Sequence, residues 1–163
     1  MRRLVAFTVL AFGLAVPAVG LALDQVEDGT LSVRNGVGKV FLQVNGSTVG
    51  RVAHGKVTVT DPIPSDEDDV DFWNCDKRSY PSDATTVCWG NNIRFRAIGG
   101  RYRIWARGTG IYLSAVGHGG GQLDGRGDEP DVDRDGAYSL NDEPYRSLPD
   151  EPQPFALAAP SRD

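Results

Sequence analysis

Two groups of residues in this chain are spaced so as to act on a ligand. The first is a run of arginines. In Arg101-Tyr102-Arg103-Ile104-Trp105-Ala106-Arg107, a two-residue period places Arg101, Arg103, Trp105 and Arg107 on one face of a strand, and Tyr102, Ile104 and Ala106 on the other. Arg94 and Arg96 form a matching pair on the strand before. Guanidinium forks beside an indole face suit sulfate, phosphate or carboxylate groups carried on a polymer. The expected ligand-binding set is therefore Arg94, Arg96, Arg101, Arg103, Trp105 and Arg107, facing an acidic glycan, a wall polymer or lipid headgroups. The competing reading is internal: the acids of 66–71 or of the C-terminal tail cover these arginines, in surface pairs worth at most about 1 kcal/mol each.

The second group is acidic. Asp131, Asp133, Asp135, Gly136 and Asp142 fit the D-x-D-x-D-G-x5-E calcium loop, with Asp142 where the bidentate glutamate belongs. Alternate carboxylates would converge on one centre while Gly136 makes the bend. Calcium is the only cofactor this pattern suggests. Against it stand the shorter closing aspartate, Arg134 within the loop and flanks that are not helical. The alternative is a solvated hairpin tip between Gln122–Asp124 and Ala137–Leu140.

Cys75 and Cys88 are the only cysteines. Their spacing does not suit a redox or metal pair, and a disulfide of this loop length is worth about 3 kcal/mol in the chain-entropy model. His54 and His118 each precede a glycine and are read as turn residues, since neither turn carries a further metal ligand. Arg126-Gly127-Asp128 spells an integrin-type tripeptide, of a kind that recurs by chance in a chain of this composition. Nucleophile elbows, phosphate loops, zinc-protease helices and dinucleotide fingerprints are all missing, so no catalytic residue is assigned and the chain is read as a non-enzyme. Acids at 66–71 and 128–135 leave a polysaccharide hydrolase as the second alternative.

These residues must be held by strands. Leu31–Asp61 and Ile93–Gly125 alternate apolar and non-apolar positions and are broken by glycine every eight or so residues, which predicts half-buried β-strands. Leu31–Arg34, Lys39–Asn45, Val49–Ala53 and Lys56–Thr60 are the expected strands of the first half. The halves align at an offset of 62, so that Val40, Leu42 and Val44 fall on Tyr102, Ile104 and Ala106. Asp61–Asp71 reads as an exposed acidic loop, Ala137–Leu140 as a last strand, and prolines 144, 149, 152, 154 and 160 as a bar to regular structure beyond it.

Met1–Ala22 has the form of a secretory signal peptide: basic start, short apolar run, small residues before the cut. An exported, net-acidic chain disfavours nucleic acid as a partner, and no span is expected in the mature form. Charge is polarised along the chain. Ala84–Leu123 carries five arginines and no acid, whereas Asp124–Asp163 carries eleven acids and four arginines.

The organisation expected is thus a signal peptide at 1–22, one all-β domain at 23–142 and an extended acidic, Pro-rich tail at 143–163. The domain holds two related halves, 31–61 and 93–125, around a disulfide-bearing insert at 62–92. Glycine-punctuated short strands allow a β-solenoid or a β-sandwich. The Gly-x-Val-x-Val arms of the two halves resemble bactofilins and the adhesin-head domains of bacterial envelope proteins. That resemblance implies a secreted, periplasmic or cell-envelope protein with a structural or adhesive role and no catalytic centre. A carbohydrate- or polyanion-binding module using the Arg/Trp face is the first alternative.

Overall fold

The computed structural model describes residues 27–63, 69–126 and 135–158; the segment 1–22, expected to be a signal peptide, lies outside them. The described elements are strands: β1 (Gly29–Thr60), β2 (Asp69–Trp73), β3 (Lys77–Ser82), β4 (Thr85–Gly125), β5 (Ala137–Leu140), β6 (Arg146–Ser147) and β7 (Gln153–Leu157). Every ladder between them is antiparallel. Among the described residues no helix is long and apolar enough to cross a membrane.

At 32 and 41 residues, β1 and β4 far exceed an ordinary strand of about 3–10 residues. Each is a succession of short runs joined by bends. The bends fall at glycines because the two backbones almost touch there. Gly55 and Gly108 are ladder partners with φ of 154° and 146°, and a Cβ on Gly108 would lie 2.0 Å from the His54 carbonyl oxygen. Only a residue without a side chain can hold that backbone at that distance.

The register shows how the ribbon winds. On one edge of β1, residues 29–60 pair with 85–117; on the other, 38–60 pair with 103–125. Val40 therefore lies between Ala106 and Leu123, while Ala106 lies between Val40 and Val57. Following partners outward gives two sets of neighbouring runs. The first set is 69–73, 93–98, 48–52, 111–115, 29–34, 137–140 and 146–147. The second is 153–157, 119–125, 38–46, 100–108, 55–60, 85–90 and 77–82. Inward residues of both sets, such as Leu31 and Phe95 from the first and Leu42 and Ile104 from the second, form a single hydrophobic core. Burial alternates along the runs as the two-residue period requires.

Two segments differ from expectation. Asp69–Asp71 belong to β2 and not to a loop, because Phe72 is buried against Phe95, its ladder partner, and Asp71 meets Arg96. The tail is partly regular despite its prolines. Gln153–Leu157 pairs with 119–123 as an edge run, where Pro154 is tolerated, and Leu148 and Leu157 are buried as its anchors.

Candidate functional site

The run 100–108 lies near the middle of the second set, between 38–46 and 55–60. Tyr102, Ile104 and Ala106 are fully buried, which fixes Arg101, Arg103, Trp105 and Arg107 on the outer face, all exposed. Trp105 keeps 48% of its surface exposed, and its ring lies 4.3 Å from that of Phe41, its ladder partner. Phe41 and Trp105 thus make a continuous aromatic strip with Thr58 beyond.

Next to that strip is a cationic row. Arg107 lies opposite Lys39 on one side and Lys56 on the other. Lys56 also sits over the Trp89 ring at 5.1 Å, and Lys77 approaches the same ring from β3 at 5.7 Å. Like charges placed directly across strands repel and are normally avoided. One of them is neutralised: Lys39 donates to Asp124 at 2.7 Å. Among the described residues no carboxylate lies within ion-pair distance of Arg101, Arg103 or Arg107. A cavity of about 490 Å³ opens at the corner beside Lys39, Arg107, Asp124 and Arg126.

Arg94 and Arg96 are not part of this face. The chain bends at Gly99, whose φ is +79°, and carries 93–98 into the first set. There Arg96 donates to Asp71 at 2.7 Å, and Arg94 lies between Trp73 and Arg51. Both line a different cavity, of about 520 Å³. Strand alternation predicts which residues point outward, but not which side of a glycine bend they occupy.

Of the four acidic candidates, Asp135 and Asp142 are described. Asp131 and Asp133 lie outside the described residues, as do Gly127 and Asp128 of the integrin-type tripeptide and Asp66–Asp68 of the acidic loop. Asp135 is fully buried, whereas Asp142 is exposed, has a φ of 61° and accepts a hydrogen bond from Thr30 Oγ1 at 3.1 Å. Among the described residues no group of three metal-ligating side chains comes together.

Cys75 and Cys88 form a disulfide, with Cα atoms 5.4 Å apart. It fastens the β2–β3 connection to the run 85–90. Each histidine pairs with an asparagine across the ladder next to a bend: His54 Nδ1 with Asn91 Oδ1, and His118 Nε2 with Asn45 Nδ2. The residues that sequence reasoning missed at the exposed face are Phe41, Lys39 and Lys56. Their outward parity was readable, but their position beside Arg107 and Trp105 depends on the register of the wound ribbon.

Comparison of the chain with protein-family models, with curated proteins and with solved structures finds no match.

Proposed function

We propose that this chain is an exported bacterial envelope or extracellular all-β protein that attaches to acidic glycans through the outer face of the run 100–108. One observation carries the reading: Arg101, Arg103 and Arg107 stand exposed around a half-exposed Trp105, and no described acid neutralises them. Cations gathered around an exposed indole repel one another, and a polyanionic partner would relieve that repulsion. Planar guanidinium forks accept carboxylate or sulfate in two parallel hydrogen bonds, and the Phe41–Trp105 strip offers apolar surface for a sugar ring. Adhesion and polyanion binding then become one role.

The disulfide supports an oxidising compartment, and Met1–Ala22 has the form of a leader. The order of runs favours a sandwich over a stacked solenoid, because solenoid rungs run parallel whereas these ladders are antiparallel. Two sets of runs sharing one core suit a long hairpin wound into two facing layers, as in jelly rolls. That architecture hosts many functions, so binding follows from the exposed face and not from the fold.

The test is retention on an acidic polysaccharide, with a neutral polysaccharide of the same length as control. The wild-type protein should be retained by the acidic polymer alone. Arg103→Ala combined with Trp105→Ala should weaken retention by about tenfold to a hundredfold. Unchanged retention in the double variant would remove the 100–108 face from consideration.

A further inference from the structure

The first set of runs carries an outer groove of its own, about 520 Å³ in volume, within the range of about 300–1,000 Å³ typical of small-ligand sites. Its construction follows from register. Trp73, Arg94, Arg51 and Tyr112 are successive ladder partners across four neighbouring runs. Two aromatic side chains therefore bracket two arginines in a single row. Trp73 is 47% exposed and Tyr112 39%, both high for large apolar side chains. Val49, in the adjoining row between Arg96 and Ser114, is 47% exposed and adds an apolar patch.

Among the described residues no acid pairs with the charges in this row. Arg51 and Arg94 face each other directly across a ladder, an arrangement that costs stability. Asp71, in the adjoining row, is engaged by Arg96 at 2.7 Å. No described carboxylate lies within ion-pair distance of Arg51 or Arg94. Arg51 lies over the Tyr112 ring at 4.7 Å, which holds its planar group across the row. The groove is thus a shallow, open depression with a largely apolar lining and two exposed guanidinium groups that no described acid pairs.

We propose that this groove is a second binding site, distinct from the 100–108 face, and that it takes a short acidic saccharide. The carboxylate or sulfate of one sugar sits between Arg51 and Arg94, and the flanking rings lie against Trp73 and Tyr112. The runs 93–98, 48–52 and 111–115 are laddered on both sides, and only 69–73 is an edge, so an extended peptide could add as a strand beside the row but not over Arg51 and Arg94. An occupant must be held by ring faces and guanidinium forks, which suits a charged pyranose chain. Strand spacing sets the two aromatic residues about 14 Å apart, so an occupant reaching both must be longer than a monosaccharide. The proposal rests on reading the chain as a glycan binder but concerns a different surface.

The experiment uses the mature chain and a linear tetrasaccharide of hexuronic acid, with the neutral hexose tetrasaccharide and inorganic sulfate as controls. Two-dimensional NMR of the indole N–H signals follows Trp73 and Trp105 separately. The acidic tetrasaccharide should shift the Trp73 signal, the neutral one should not, and sulfate should act only at far higher concentration. Arg51→Gln with Arg94→Gln should weaken binding by about tenfold or more. The same double variant should melt no lower than wild type, because it relieves a like-charge pair. Arg103→Ala with Trp105→Ala should leave the Trp73 response intact, even where retention on long polymer is lost. A Trp73 signal unmoved by the acidic tetrasaccharide, an equal response to sulfate or the neutral sugar, or full binding by the Arg51/Arg94 variant would each overturn the proposal. Failure of the 100–108 face alone would leave this result standing.

Discussion

Gly108→Ala is expected to destabilise the protein by about 3–5 kcal/mol. Stability totals for a domain are about 5–15 kcal/mol, so this is a large share of it. Two effects combine. At a φ of +146° the backbone occupies a region that side chains disfavour. The new methyl group would also lie 2.0 Å from the His54 carbonyl oxygen and 2.9 Å from the Gly55 Cα. Both neighbours are main chain and cannot swing aside. Gly99→Ala is the matched control. Its φ is +79°, but nothing lies within 4 Å of the added carbon, so only the conformational cost of about 1–2 kcal/mol remains. Urea unfolding of the two variants separates the effects. Equal midpoints would mean that the close backbone approach at the bend is not as described.

Reduction of Cys75–Cys88 is expected to cost about 3 kcal/mol, the loop-closure value for a sequence separation of 13. The damage should be local at first. The bridge ties the β2–β3 connection to the run 85–90, and Cys88 is buried in the core. Trp73, two residues before Cys75, forms one wall of the first-set groove. Below the midpoint of unfolding, the reduced protein should therefore lose affinity for the acidic tetrasaccharide while retaining the 100–108 face. Hydrogen exchange in 69–82 should rise before exchange in 38–46. Uniform loosening of both regions would show that the disulfide acts only through global stability.

Much of the fold was legible because burial imposes a strict two-residue beat. Lys39–Asn45 and Lys56–Thr60 match runs of β1, and Tyr102, Ile104 and Ala106 are as buried as their spacing requires. Winding was not legible. A glycine announces a bend but not its direction, so Arg94 and Arg96 were grouped with a face they do not share. The groove row of Trp73, Arg94, Arg51 and Tyr112 draws single residues from four runs far apart in sequence. No local pattern can assemble it without the register. Asp69–Asp71 misled for a different reason: their acidity signalled a loop, while the burial of Phe72 and the Arg96 partner held them in a strand.

The salt dependence of binding to an acidic polysaccharide tests the exposed cationic face most directly. Arginines that replace counterions on a polyanion make affinity fall steeply as salt rises, with a slope set by the number of contacts. The account predicts a steep slope for the wild-type chain, and a shallower one when Arg101, Arg103 and Arg107 are each replaced by glutamine. Retention that ignores salt, or a slope unchanged by all three replacements, would contradict it.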